Sequence, residues 1–160
     1  MNGYILSVEK VIPASPEVIF GFLADATNHP VIDGSGMLTG AKSGSPDRLS
    51  LGVAFGMSMK LGVRYSTVNR VTAFEENRHI AWKTGPESWW GNVLGGRTWS
   101  YDLEPITGGT VVCESWDITD DHQRQLLKLG DIYSGKVRRD MERTLERLER
   151  AVAVDEARGG

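Results

Sequence analysis

Leu51-Gly52-Val53-Ala54-Phe55-Gly56-Met57-Ser58-Met59-Lys60-Leu61 alternates large apolar side chains with small or polar ones. A period of two puts Leu51, Val53, Phe55, Met57, Met59 and Leu61 on one face of a β-strand and the small set on the other. The apolar face must be buried, and two flexible methionines beside a phenylalanine suit a surface that adapts to shape. For a single strand, ordinary core explains this pattern best. Its place among the other elements gives it a second meaning.

Around this strand the chain reads as a run of strands between helices. Tyr4 to Ile12 is a first strand with Tyr4, Leu6 and Val8 on one face. Ser15 is an N-cap, Pro16 fits the first helical position and Glu17 favours the positive end of the helix dipole, so a short helix is expected from Pro16 to about Ala24. His29 to Ile32 forms one further helical turn, and a brief strand is expected at Met37–Ala41 within a Gly-rich stretch. Five strands follow at Leu51–Leu61, Val63–Phe74, His79–Thr84, Gly96–Glu104 and Thr110–Ile118. Their connections are too short for parallel crossovers, so the sheet is antiparallel. One long helix from about Asp121 to Val154 closes the chain, its stripe Val137, Met141, Leu145, Leu148 and Val152 spaced for burial. Gly130 and Gly135 weaken its early part near Leu126, Leu127, Leu129 and Tyr133, and either a bend at the cavity mouth or room for a ligand or a packed tryptophan accounts for them equally well.

The 160 residues make one domain over 1–154, with 155–160 as a flexible tail. Such a chain hides roughly 70% of its unfolded surface. A net charge of -3 without a basic patch argues against nucleic acid. Cys113 stands alone and cannot form an internal disulfide, which points to a reducing compartment. No leader precedes Tyr4 and no stretch approaches the ~20 apolar residues of a membrane span, so the cytoplasm is expected. His29, His79 and His122 are scattered, so no metal site is expected. No phosphate loop, dinucleotide fingerprint or serine elbow occurs, and no cofactor is expected.

Strand, two short helices, antiparallel strands and a terminal helix define an α+β protein. The segment Ser15-Pro16-Glu17-Val18-Ile19-Phe20-Gly21-Phe22-Leu23-Ala24-Asp25, with Asn28-His29-Pro30, resembles the first-helix region of the polyketide cyclase/dehydrase (SRPBCC) branch of the START and birch-pollen-allergen superfamily. Val71-Thr72-Ala73-Phe74 with His79-Ile80-Ala81-Trp82 is similar to its central hairpin. Gly108-Gly109-Thr110-Val111-Val112 and Met141-Glu142-Arg143-Thr144-Leu145-Glu146-Arg147-Leu148 resemble its last hairpin and terminal helix. Ile32 stands where that branch often has a tryptophan, before Asp33, and the pair Trp89-Trp90 is foreign to the pattern. The resemblance implies a helix-grip fold: a curved antiparallel sheet wrapped around the terminal helix, with an apolar cavity between them.

Parity then selects the residues lining such a cavity: Phe55, Met57 and Met59; Tyr65, Thr67, Asn69 and Val71; Ile80 and Trp82; Trp99, Tyr101 and Leu103; Val112, Glu114 and Trp116. Asn69, Glu114 and Arg97 are the polar members. Glu114 among aromatics should be desolvated and its pKa raised unless a cation pairs with it, which suits a general acid or base. Tyr101 lies across the hairpin. Alternatively, Glu114 accepts from Tyr101 or Arg97 and does no chemistry. Trp89 and Trp90 are read as an apolar flap or as a satellite core. Glu114 and Tyr101 are thus the catalytic candidates. Phe55, Met57, Met59, Tyr65, Asn69, Trp82, Trp89, Trp90, Arg97, Trp99, Tyr101, Glu114 and Trp116 are the ligand-binding candidates. Three functions are compatible with this set. The first is binding a small hydrophobic, aromatic or lipid-like molecule. The others are polyketide cyclisation, aromatisation or dehydration, and self-resistance by sequestering or reacting with a natural product.

Overall fold

The computed structural model describes residues 3–86 and 95–159. Seven strands form one antiparallel sheet in the order β1-β7-β6-β5-β4-β3-β2. They are β1 (Ile5–Ile12), β2 (Leu38–Ala41), β3 (Ala54–Leu61), β4 (Val63–Glu75), β5 (His79–Pro86), β6 (Arg97–Ile106) and β7 (Gly109–Asp117). Helices α1 (Pro16–Leu23) and α2 (His29–Ile32) follow β1; α3 (Arg124–Ser134) and α4 (Lys136–Gly159) follow β7. The sheet curls into a half-barrel that grips α4, an α+β helix-grip fold.

Local chemistry accounts for the elements. Ser15 caps α1 by accepting from the Val18 amide at 3.4 Å, with proline in the first turn. Asp25 accepts from the Thr27 amide and hydroxyl at the start of a 3₁₀ turn over Ala26–Asn28. On α4 the stripe Met141, Leu145, Leu148 and Val152 is at most 1% exposed. It packs in one core with Leu6, Val8, Ile12, Val112 and Leu103 from the sheet and Ile19, Phe20 and Leu23 from α1. Burying apolar surface at about 25 cal/mol per Å² is what holds helix to sheet.

Four expectations need correction. The strand predicted from Leu51 begins only at Ala54. Gly52 has φ +81°, a conformation no strand residue adopts, and Leu51 is exposed. The predicted single terminal helix is two helices. Gly135 takes φ +57° and ends α3 as a left-handed cap, its amide donating to the Asp131 carbonyl at 2.7 Å. Gly130 stays inside α3. The regular alternation predicted through β4 is interrupted by a bulge between Val71 and Ala73. The extra residue turns Phe74 onto Phe20, rings 5.1 Å apart and edge to face. Beyond Val154, the helix continues to Gly159.

The turn after α2 fixes the grip at one side. Asp33 accepts from the Ser35 amide and hydroxyl through Oδ1 and from the Leu38 amide through Oδ2. The Gly34 amide donates to Thr144 Oγ1 of α4 at 3.0 Å. A Cβ on Gly34 would lie 2.0 Å from the Asp140 carbonyl oxygen, so glycine is what permits this approach.

Candidate functional site

Strand register assembles the concave face row by row. Tyr101 and Glu114 are direct partners across β6 and β7, and Val8 of β1, Ile80 of β5 and Phe74 of β4 extend the row. The next row is Leu6, Trp116, Trp99, Trp82 and Val71. Arg97, Thr84, Asn69 and Phe55 form the one after it. Beyond these the β3–β4 hairpin has Thr67 opposite Met57, Tyr65 opposite Met59 and Val63 opposite Leu61, with β2 still paired to β3 at Met57 and Met59 and Pro86 of β5 opposite Thr67. Burial changes along this direction. Phe55, Met57, Asn69, Trp82, Tyr101, Glu114 and Trp116 are buried; Met59, Thr67, Arg97 and Trp99 are half-buried; Leu61, Val63 and Tyr65 are exposed. The grip is packed at the end where α4 terminates and opens toward the hairpin tip.

Aromatic rings line the middle of this face. Phe55 meets Trp82 at 5.8 Å, Trp82 meets Tyr101 at 5.7 Å, and Trp99 meets Trp116 at 6.2 Å. His29 of α2 joins them, stacked on Trp82 at 4.9 Å and edge-on to Phe55 at 5.6 Å. Its Nε2 donates to the Leu23 carbonyl at 2.8 Å, and burial holds its pKa below the usual imidazole range. The sequence reading places His29 in the Asn28-His29-Pro30 segment and in a helical turn, but does not give it this wall position. The signal was present in the spacing, because Ala26, His29 and Ile32 recur every three residues and all three are buried.

Glu114 is the polar centre of the wall. It is 3% exposed. Tyr101 donates its hydroxyl to Glu114 Oε1 at 2.9 Å, while Oε2 is buried without a hydrogen-bond partner. Burial pushes the carboxyl up to about 8, the Tyr101 hydrogen bond opposes that, and the nearby Asp33 charge adds to the rise. At neutral pH the group is therefore largely a neutral acid. Burial also drives the Tyr101 phenol well above its ordinary range, with the Glu114 charge second. Both groups together offer an O–H of high pKa to anything admitted beside them.

The remaining polar candidates are engaged with the protein. Arg97 Nε donates to Asp121 Oδ2 at 3.0 Å, and the Asp121 side chain is fully buried. This pair ties β6 to the chain entering α3 and leaves Glu114 to Tyr101 alone. Asn69 accepts from the Thr84 hydroxyl at 2.7 Å and its amide reaches the Phe55 carbonyl at 3.5 Å. Cys113 lies on the opposite face, where burial pushes its thiol up, away from reactivity. His79 pairs with Asp102 at 2.7 Å on the outer face. Trp89 and Trp90 lie outside the described residues.

Two depressions formed by described residues lie elsewhere. One, of about 430 Å³, sits between the Pro13–Pro16 turn, the Pro105–Gly109 hairpin and Glu156. The other, of about 380 Å³, lies among Ser7, Val8, Glu9, Arg138 and Glu142. Neither includes Glu114 or Tyr101.

The family model for polyketide cyclase / dehydrase and lipid transport matches residues 5–153. The chain belongs to this family. No curated protein sequence matches it significantly. Solved structures with the same fold as this polyketide cyclase/dehydrase family member include a protein of Nitrosomonas europaea, 12% identical, with a TM-score of 0.70 over 98% of this chain and 99% of that one. An AHSA1-like protein of Aeromonas hydrophila is 16% identical, with a TM-score of 0.61 over 95% and 94%. A polyketide-cyclase-like protein of Corynebacterium glutamicum is 21% identical, with a TM-score of 0.59 over 97% and 95%. At these identities the likeness establishes the fold. Among the described residues no helix is long and apolar enough to cross a membrane.

Proposed function

We propose that the protein binds a small hydrophobic molecule against its concave face, beside the Glu114–Tyr101 pair. The observation that carries this reading is the buried Oε2 of Glu114, left without a partner in rows where its neighbours are Val8, Ile80, Trp99 and Trp116. A buried polar atom without a partner costs about 1–3 kcal/mol, and a guest that supplies one recovers part of it. The aromatic faces favour a flat ligand, and entry is through the end where Met59, Thr67 and Trp99 become accessible. Membership in a family named for polyketide cyclisation and lipid transport supports the same ligand class. Titrating intrinsic tryptophan fluorescence with aromatic polyketides, fatty acids and sterols should give a saturable change for at least the planar members. No saturable change with any of them overturns the proposal.

A second reading makes the same site an enzyme acting on a poly-β-ketone, favoured by a buried carboxyl whose pKa is pushed up to about 8. The wall would hold a flexible chain in a reactive fold, and Glu114 would give and take the proton with Tyr101 as its partner. In that case Glu114→Gln abolishes product formation while binding persists. Unchanged turnover in that variant eliminates this reading.

A further inference from the structure

Apolar surface is left in water at one end of the molecule. Of the thirteen exposed large apolar side chains among the described residues, three stand at the tip of the β3–β4 hairpin and four on α3. Strand direction puts both places at the same end of the sheet, where β3 turns into β4 and where β7 runs out toward α3. On α3 the exposed Leu126, Leu129, Ile132 and Tyr133 fall within about a third of the helix circumference. Leu127 is the α3 side chain packed against the core. The buried residue of this helix is polar: Asp131, whose Oδ1 accepts from the Val137 amide at 3.1 Å. A helix that turns a carboxylate inward and an apolar stripe outward is arranged for something beyond its own core.

The hairpin adds charge to this surface and so names the partner. Lys60 and Arg64 are strand partners, and Leu61 and Val63 pair one step nearer the turn. Alternation puts the two cations on one face of the tip and Leu61 (64% exposed) with Val63 (73%) on the other. Among the described residues neither Lys60 nor Arg64 has an ion-pair partner, whereas Arg48 is held by Glu76 and Arg97 by Asp121. From Arg48 to Phe74 the sequence carries Arg48, Lys60, Arg64 and Arg70 without one Asp or Glu, in a chain whose net charge is -3. The carboxylates of Asp120 and Asp121, which follow β7 at this end, are offset by Lys83 and Arg97. We propose that this end of the protein docks on an anionic lipid bilayer. Leu61 and Val63 enter the boundary between headgroups and acyl chains, Lys60 and Arg64 extend their stems to the lipid phosphates, and the α3 stripe lies on the same surface. Docking of this kind needs no guest on the concave face, so it stands apart from the ligand-binding reading.

Flotation of the full chain with vesicles of phosphatidylcholine, alone or mixed with phosphatidylserine, tests this. The protein should float with the mixed vesicles and stay behind with the neutral ones. Salt near 1 M, which screens charges beyond about 3 Å, should release it. Each cation lost near the surface should weaken binding about fivefold, so Lys60→Gln combined with Arg64→Gln should cost about twentyfold or more. Leu61→Ser combined with Val63→Ser should weaken binding about tenfold at unchanged Tm, because both side chains are exposed without the membrane. Ile132→Ser combined with Tyr133→Ser should act in the same direction. A polarity-sensitive fluorophore on Val63→Cys, in a Cys113→Ser background, should shift to the blue on the mixed vesicles. Should either serine pair fail to fold, the charge variant and the salt dependence decide. Absence of flotation, equal flotation with both vesicles, or hairpin variants that bind as the wild type does overturns the proposal. So does a wild-type dimer in sedimentation equilibrium that the Leu61→Ser, Val63→Ser pair dissolves, since a second copy then covers the tip. Any of these failures leaves the concave-face reading intact, because soluble ligands test that one with no vesicle present.

Discussion

Glu114 carries a cost that pH should reveal. Its carboxyl ionises near the ordinary 4.5 in the unfolded chain and near 8 in the folded one. Between those values the folded state holds the extra proton, so this contribution to stability is full below about 4.5, falls with rising pH and levels off above 8. The slope is about 1.4 kcal/mol per pH unit inside that window. Glutamine does not ionise and can still accept from Tyr101. The difference in Tm between Glu114→Gln and wild type should therefore widen in favour of the variant from pH 5 to pH 8, and a constant difference would contradict a buried neutral acid. His29 works in the opposite sense. Burial lowers its pKa, so the unfolded chain takes up a proton first as pH drops below about 6.5 and stability falls. Its ring resonances should titrate below the ordinary imidazole range in an NMR titration; an ordinary midpoint would contradict its stacking under Trp82. The parity that put Glu114, Tyr101 and Trp116 on one face was legible because a period of two admits only two answers. The choice between Tyr101 and Arg97 as the partner of Glu114 was not, since it depends on the register set by the Ile106–Gly109 turn and on Asp121 claiming the arginine.

Among the elements, the two glycines of the α3–α4 region have opposite roles that sequence alone could not separate. Gly130 has helical geometry and open space around its Cβ position, whereas Gly135 holds φ +57°. Gly130→Ala should stabilise the protein by up to about 1 kcal/mol, through the better helix propensity of alanine. Gly135→Ala should destabilise it by about 1–2 kcal/mol, because a Cβ strains the left-handed cap. Urea denaturation of both variants tests the pair, and shifts of the same sign would place the helix break elsewhere. Gly34→Ala should cost about 3 kcal/mol, since the new methyl meets the backbone of α4 and cannot be accommodated by a side chain moving aside. The α4 stripe was readable from spacing at Val137, Met141, Leu145, Leu148 and Val152. The bulge at Thr72 carried no glycine or proline to announce it, and it is set by tertiary packing of Phe74 on Phe20.

At the level of the whole molecule, the concave face is buried core at one end and accessible at the other. Where α4 meets β1 and β7, the residues Leu145, Leu148, Val152, Ile12 and Val112 fill the space between sheet and helix. Toward the tip of the β3–β4 hairpin the same inward face becomes accessible, and the apolar alternation that begins as core ends as exposed Leu61, Val63 and Tyr65. Sequence pattern could name the face but not where along it burial stops, because that depends on how far α4 extends beneath the sheet. Replacing Trp99, which stands at this boundary, with alanine should weaken planar ligands about tenfold with a smaller loss of stability than Trp116→Ala, which empties a fully buried position. Following the indole N–H signals of the nitrogen-labelled protein, assigned by single Trp→Phe substitutions, during titration with acetylnaphthalene locates the guest. Saturable shifts at Trp82, Trp99 and Trp116 that disappear in Glu114→Leu place it on the concave face. If those three signals stay fixed at saturating ligand, the aromatic wall is only packing and the protein acts elsewhere on its surface.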